Sequence, residues 1–180
     1  KYLDMLKVMM KSVDDDIKQQ VEILAKTKPI FNHVMSVKGI GAVMAAQLIS
    51  QIDIKRSPTI SSLWHYAGYA PGYDKMKKGK IRTFNCNLRT ILYKIALQMI
   101  RAKSPYRAIY DKRKEIMSVR CPEYKKIRLH LDGIRVMMKM FLSHLWLTWR
   151  KLENLTVTEP YAQVHLEHDG YISPKDMGWS

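Results

Sequence analysis

The chain has 180 residues, of which 47% are hydrophobic and 26% are charged, and its formal net charge is +15. This composition is typical of one ordinary folded domain, or of a small domain with an extended arm, and it excludes intrinsic disorder because the apolar residues can form a core. No apolar run approaches the roughly 18 residues that cross a bilayer, so we expect no membrane segment and a cytoplasmic location.

The first predicted element is a long amphipathic helix over residues 1–28. Its apolar residues alternate steps of three and four along one seam, which is the spacing of a coiled coil. The seam consists of Leu3, Leu6, Met10, Val13, Ile17 and Leu24, with Gln20 as a polar member. We predict a homodimer through residues 3–24. Packing of the seam against the rest of the chain is the alternative, since three heptads are near the lower limit for a stable isolated pair.

A glycine-bracketed turn follows at residues 37–41, with the sequence Val-Lys-Gly-Ile-Gly. A short helix over residues 29–35 precedes it, because Pro29 is tolerated at a first helical position, and a helix rich in small residues follows. The pattern predicts a helix-hairpin-helix in which Ile40 fills the apolar interface. The free amide groups at the start of the second helix can then donate to a backbone phosphate without reading a base. A helix turn without a ligand is the alternative.

The next predicted helix starts at Pro58, with Ser57 as its N-terminal cap and Gly68 as its C-terminal glycine. The pattern then changes. Residues 67–82 hold three glycines, one proline and five basic residues, which predicts an exposed basic loop. A loop of this size in a compact domain is usually functional.

Three further helices are predicted from apolar residues at helical spacing. They run from Asn85 to about Arg101, from Pro105 past Met117, and over residues 129–152. The last of them is dense in Met, Leu and Trp around most of its circumference, so we expect it to lie in the core or against a partner helix.

No segment of the sequence shows the alternation of an extended sheet, so the predicted fold class is all-α. We expect three regions. Residues 1–28 form the coiled-coil helix, residues 29–154 form a basic helical bundle that contains the helix-hairpin-helix, and residues 155–180 form an irregular acidic tail.

The positive charge is concentrated in the middle of the chain. Residues 72–150 hold 20 basic and 5 acidic side chains, whereas residues 151–180 hold 2 basic and 5 acidic ones. Because the basic side chains are interleaved with aromatic ones, they predict a folded surface that binds a polyanion. DNA is the expected partner, which would place the protein at the nucleoid, and RNA is the alternative polyanion. A basic face that only keeps the protein in solution is the competing interpretation.

The residues predicted to contact nucleic acid come from the hairpin, the basic loop and the helix that follows the loop. They are Lys38, Gly39, Gly41, Lys75, Lys77, Lys78, Lys80, Arg82, Asn85 and Arg89. The glycines bring the backbone close to a phosphate, and the cations supply electrostatic attraction.

The acidic and histidine residues do not predict a metal site. His130, Asp132 and His144 fall on different faces or turns of one helix, so structural roles are expected for them. His165, His168 and Asp169 have closer spacing but lack a rigid frame, and the run at residues 14–16 is expected to be a solvated helix face. We therefore predict no metal and no cofactor in this chain.

Three blocks of the sequence resemble a known family. They are the hairpin at residues 37–41 with Ala45 after it, the block Leu-Trp-His-Tyr-Ala-Gly-Tyr-Ala-Pro at residues 63–71, and residues 79–89 with Asn-Cys-Asn-Leu-Arg at their end. In this order they resemble the C-terminal transposase domain of the IS110 insertion-sequence family, which includes the Piv-type DNA invertases. The resemblance implies a DNA recombinase scaffold and a preceding coiled-coil helix.

One departure from the family pattern puts catalysis in doubt. The resemblance implies a nucleophilic serine, followed by glycine, a few residues after Pro71, but residues 72–79 contain no serine. The nearby hydroxyls are those of Ser57, Ser61, Ser62, Tyr69 and Tyr73. Capping is the expected role of Ser57, and stacking on bases or packing is the expected role of the tyrosines. No catalytic residue is therefore predicted.

Two alternatives to a DNA-binding protein remain. The family also implies an acidic RNase H-like domain before the coiled-coil helix, which these 180 residues do not contain. The chain could thus be a fragment of an active recombinase, and magnesium would be expected only with that domain. The other alternative is a non-catalytic helical scaffold.

Overall fold

The computed structural model describes residues 1–70, 79, 83–158 and 172–179. These residues form seven α-helices and no strand, which confirms the all-α class. The helices are α1 (Tyr2–Thr27), α2 (Pro29–Ser36), α3 (Ala42–Ser50), α4 (Ile60–Tyr66), α5 (Cys86–Arg101), α6 (Tyr106–Arg120) and α7 (Lys126–Leu152). Short 3₁₀ helices occur at Ile54–Arg56 and Lys175–Met177. Within this part of the chain, no helix is long and apolar enough to cross a membrane.

Helix α7 is the centre of the bundle. It packs against α2, α4, α5 and α6, and its contact with α6 is the most extensive. Its predicted role as a core helix is confirmed, because Met137, Met138 and Phe141 are completely buried. The helix begins at Lys126, three residues before the predicted start, and it continues through Gly133. A Cβ atom at Gly133 would lie only 2.8 Å from Cδ2 of Tyr110, so this glycine allows α6 and α7 to approach closely.

Helix α1 confirms the predicted long amphipathic helix, but it projects from the core. None of its residues is buried, and only Val21, Leu24 and Ala25 near its end pack against the core. The acidic run at residues 14–16 is an exposed face, with one ion pair of 3.1 Å between Asp15 and Lys18.

The predicted start of α4 was wrong by two residues. The helix begins at Ile60, and its N-terminal cap is Thr59 rather than Ser57. Thr59 accepts a hydrogen bond from the amide of Ser62 at 3.2 Å and takes part in a capping box with that residue. Ser57 is buried instead, and its carbonyl accepts a 2.8 Å hydrogen bond from the indole of Trp146. A reciprocal cap satisfies two backbone donors, which explains why Thr59 determines the start.

The predicted C-terminal glycine of α4 is confirmed. Gly68 has a φ of +74°, and its amide donates to the carbonyl of His65 at 3.0 Å. The amide of Tyr69 reaches back to the carbonyl of Trp64 at 2.8 Å. Together these bonds form a Schellman motif, which directs the chain away from α4 toward the start of the basic loop.

The last described residues belong to the same core as the helices. Met177 and Trp179 are each 5% exposed, and the indole of Trp179 donates a 2.7 Å hydrogen bond to the hydroxyl of Tyr106. The hydroxyl of Ser36, at the end of α2, donates to the carbonyl of Gly178 at 2.9 Å. Residues 172–179, hereafter the C-terminal clasp, therefore tie α2, α6 and α7 together.

Candidate nucleic-acid interface

The hairpin at residues 37–41 joins α2 to α3 and packs against the C-terminal half of α5. Val37 is completely buried and Ile40 is 5% exposed, so the predicted role of Ile40 as an apolar plug is confirmed. Gly39 has a φ of +99°, and a Cβ atom there would lie 3.0 Å from Cα of Met99. Both the backbone conformation and the close contact with α5 require glycine at this position.

Gly41 has a different environment from Gly39. It is exposed at the N-terminus of α3, and a Cβ atom there would have no described atom within 4 Å. The amide of Ala45 makes the first helical hydrogen bond, to the carbonyl of Gly41 at 3.0 Å, and no described side chain caps the helix. The amides of residues 42–44 thus lie at the positive end of the helix dipole, in the arrangement that binds anions.

The side chain of Asn85 makes its hydrogen bonds within the protein, at the start of α5. Its side-chain oxygen accepts from the amide of Leu88 at 3.0 Å, so it is the N-terminal cap of the helix. Its side-chain nitrogen donates to the hydroxyl of Tyr66 at 2.8 Å and to the side chain of Gln51 at 3.3 Å. The contacts of this predicted nucleic-acid ligand are therefore with α4 and with the residue that ends α3.

Arg89 lies one turn into α5 and is exposed. Its guanidinium donates to the carbonyl of Gly68 and stacks near two rings, 5.3 Å from the centre of Tyr69 and 5.1 Å from the centre of Phe84. Burial raises the pKa of Tyr69 to about 12, although the positive charge of Arg89 lowers it in part. Tyr69 is therefore a protonated packing residue at neutral pH.

The structure does not bring all the predicted contact residues together. The hairpin contacts α5 at residues 98–102, whereas Asn85 and Arg89 lie at the other end of that helix. Residues 85 and 98 are separated by about 20 Å at 1.5 Å per residue. Lys38 is exposed beside Gly39. The loop cations Lys75, Lys77, Lys78, Lys80 and Arg82 lie outside the described residues.

A cationic groove that the sequence analysis missed lies between α5, α6 and α7. Its volume is about 1080 Å³, and its walls carry the guanidinium groups of Arg89, Arg113, Arg128 and Arg135. The guanidinium of Arg128 lies 3.9 Å from the ring centre of Tyr124, four residues earlier in the chain. The spacing of Tyr124 and Arg128 is the one local sequence pattern that we find for this groove. The groove itself forms between helices that are distant in the sequence.

Asp132 organises one side of this groove. Its carboxylate accepts a 2.6 Å hydrogen bond from Arg113 of α6 and a 3.1 Å hydrogen bond from Arg135 of α7. Desolvation alone would raise the pKa of Asp132, but the two guanidinium groups outweigh it and hold the pKa below its ordinary value. The carboxylate is therefore charged at neutral pH and fixes both arginines.

The two histidines of α7 have the structural roles that were predicted for them. The Nδ1 atom of His130 lies 2.7 Å from the hydroxyl of Tyr110, and that of His144 lies 2.5 Å from the hydroxyl of Tyr106. His144 is 2% exposed, and its Nε2 atom lies 2.9 Å from the carbonyl of Ile172. His165, His168 and Asp169 lie outside the described residues.

Comparison with known proteins gives one family match. Residues 32–111 match the family model of the transposase IS116/IS110/IS902 family. No curated protein and no solved structure matches the chain. The matched residues run from α2 into α6, and they include every predicted nucleic-acid contact but not Arg113, Arg128 or Arg135 of the cationic groove.

Proposed function

We propose that this protein, which carries a transposase domain of the IS116/IS110/IS902 family over residues 32–111, binds the phosphate backbone of duplex DNA during transposition. A role related to transposition follows from the family itself. The proposal adds the chemistry of the contact: backbone amides at the start of α3 hold a phosphate, and neighbouring cations attract the duplex.

The observation that carries the proposal is the contrast between the two hairpin glycines. Gly39 packs against α5 and thereby fixes the turn, whereas a Cβ atom at Gly41, the residue just before the first amides of α3, would have no described atom within 4 Å. A phosphate can approach these amides without displacing a side chain, since the described residues supply no cap. The aligned amides and the helix dipole favour an anion there.

The electrostatic part of the contact comes from exposed cations near the hairpin. Lys38 is exposed beside Gly39, and Arg101 and Lys103 are exposed around the part of α5 that the hairpin contacts. The sequence adds the cations of the basic loop to this set. If about six phosphates are neutralised, log affinity falls against log salt with a slope near −5.

The hairpin contact is tested by giving α3 a competing cap of its own. In Gly41→Asp, the new carboxylate accepts from the first amides of the helix and also repels phosphate. We expect the affinity for a short duplex to fall about tenfold or more, while thermal stability is unchanged or slightly higher. Fluorescence anisotropy over a salt series measures the affinity, and circular dichroism measures the stability.

Ser61→Asp is the matched control, because it adds the same charge to the exposed first turn of α4. Gly41→Asn separates the two effects of the aspartate, since asparagine caps the helix without adding charge. Equal loss of affinity in Ser61→Asp and Gly41→Asp would show a general charge effect and would reject the hairpin contact. An affinity that does not depend on salt would reject the backbone contact altogether.

The proposal assigns no strand cleavage to this chain. The loop that follows Pro71 lacks the serine that the family resemblance implies. Of the nearby serines, Ser62 donates its hydroxyl to the carbonyl of Thr59 at 2.6 Å, and Ser57 is 5% exposed. The homodimer through residues 3–24 is part of the proposal, because α1 presents a long exposed apolar surface.

A further inference from the structure

The cationic groove carries more positive charge than the described residues neutralise. Among the described residues, four arginines and one aspartate line it. Asp132 pairs with Arg113 and Arg135, whereas no carboxylate of the described residues pairs with Arg89 on the α5 wall or with Arg128 on the α7 wall. These two guanidinium groups contact rings and neutral oxygen atoms instead. The groove therefore favours an anionic ligand that can reach both walls.

The same groove exposes flat and apolar surface. Tyr93 on α5 is 37% exposed, and Ile127 and Leu131 on α7 are 60% and 48% exposed. Arg128 covers one face of Tyr124, with its Nη2 atom donating to the tyrosine hydroxyl at 3.0 Å. Apolar side chains in a cationic groove match a ligand that is charged along one edge and flat and apolar along the other.

A DNA duplex does not offer that combination. Its phosphates lie outside, and the faces of its bases are stacked on each other and hidden, so a protein can reach only base edges in the grooves. An unpaired strand exposes base faces together with phosphates, and proteins bind such strands with aromatic platforms inside positively charged grooves. The volume of about 1080 Å³ is at the upper end of the range for ligand pockets and is suited to a few nucleotides.

We propose that the groove between α5, α6 and α7 binds an unpaired polynucleotide strand. Tyr93 stacks on a base, Ile127 and Leu131 form an apolar floor, and Arg89 and Arg128 bind phosphates from opposite walls. Asp132 does not contact the strand but positions Arg113 and Arg135 at the rim. This site is separate from the hairpin and does not depend on the duplex contact there.

The test compares single-stranded and duplex ligands with the whole 180-residue chain. Fluorescence anisotropy is measured with roughly 12-nucleotide oligothymidylate, oligouridylate and a mixed-sequence duplex, which are within the site sizes of single-strand binders. Tyr93→Ala and Arg128→Ala each weaken the binding of a single strand by about fivefold or more and leave the duplex affinity unchanged. Tyr93→Phe keeps the ring and retains the single-strand affinity.

Further variants separate this site from the hairpin and identify the strand. Gly41→Asp weakens duplex binding and leaves single-strand binding unchanged, so failure of one site does not imply failure of the other.

Tighter binding of oligouridylate identifies the strand as RNA, and tighter binding of oligothymidylate identifies it as DNA. The proposal is overturned if Tyr93→Ala and Arg128→Ala leave single-strand affinity unchanged, or if they weaken duplex binding equally. Both side chains are exposed, so circular dichroism confirms that each variant is folded.

Discussion

At the scale of single residues, Gly39 and Gly41 show how two glycines of one turn serve different purposes. Gly39 requires a positive φ and a close contact with α5, so it is a folding residue. Gly41 has an extended backbone, with a φ of −91°, and open space around it. Any residue can adopt that conformation, so the backbone does not require glycine at position 41. In our proposal, Gly41 matters because it has no side chain that could cover the first amides of α3.

This difference predicts that the same substitution destabilises the protein at Gly39 but has little effect at Gly41. Gly39→Ala places a Cβ atom 3.0 Å from the backbone of Met99 in a strained left-handed conformation, so we expect a loss of about 2 kcal/mol or more in the free energy of unfolding. Gly41→Ala should change it by less than about 0.5 kcal/mol. Urea denaturation measures both variants. A similar loss in the two would contradict the assignment of Gly39 alone to packing.

The sequence predicted that both glycines belong to the hairpin, but it did not predict that only Gly39 packs against α5. It predicted Asn85 as a nucleic-acid contact but did not predict that its side chain caps α5 and contacts Tyr66. An asparagine three residues before the first apolar residue of a helix has the pattern of a cap, and capping is a common use of this residue type. The distinction between the two roles requires the neighbouring helices, which lie far away in the sequence.

At the scale of elements, the sequence predicted every α-helix of the described residues. Apolar residues at helical spacing indicated α1, α5, α6 and α7, whereas proline, glycine and small-residue signals indicated α2, α3 and α4. The ends of the helices were less predictable. Helix α4 begins after Thr59 rather than at Pro58, because Thr59 forms a reciprocal cap. Helix α7 begins at Lys126, upstream of its predicted start. The cationic groove could not be predicted, because its arginines are contributed by three helices and meet only when these pack together.

Helix α1 provides a test at this scale, since its seam from Leu3 to Ile17 and the faces beside it are exposed in the single chain. Met10 lies on the seam and is 68% exposed, whereas the adjacent Met9 lies off the seam and is 57% exposed. In a homodimer through the seam, Met10→Glu buries an unpaired charge and shifts the protein toward monomer, while Met9→Glu leaves the dimer intact.

Light scattering during size-exclusion chromatography measures the mass of each variant. The two variants carry the same added charge one residue apart, so any difference between them comes from the position on the helix. A monomeric wild type, or an equal effect of the two substitutions, would contradict the homodimer.

At the scale of the whole molecule, the C-terminal clasp is connected to the core by a series of buried hydrogen bonds. The indole of Trp179 donates to Tyr106, whose hydroxyl also contacts Nδ1 of His144. The other nitrogen of His144 reaches the carbonyl of Ile172. When Nε2 donates to Ile172 and Nδ1 accepts from the hydroxyl of Tyr106, His144 is neutral and every member of this chain of hydrogen bonds has a partner.

This arrangement predicts a loss of stability in mild acid. Burial lowers the pKa of His144, and the hydrogen bond to Ile172 and the nearby charge of Asp176 oppose this shift only in part. Because the pKa is lower in the folded state, the stabilisation is complete above about pH 6.5 and decreases as the pH falls below that value. We expect the free energy of unfolding to fall between pH 7 and pH 5, by at most about 1.4 kcal/mol per pH unit from this group.

Urea denaturation of the wild type and of His144→Gln at pH 7 and pH 5 isolates this contribution. The variant is less stable at pH 7 because the hydrogen bonds change, but its stability should depend less on pH than that of the wild type. The same pH dependence in the two proteins would show that folding does not lower the pKa of His144.

The position of the clasp also bears on how the molecule is made. Trp179 fills a place between α6 and α7, yet it leaves the ribosome after every helix of the bundle has been synthesised. During translation, the ring of Phe141 and the hydroxyl of Tyr106 therefore lack their indole neighbour until Trp179 has been synthesised, and this part of the core can be completed only then.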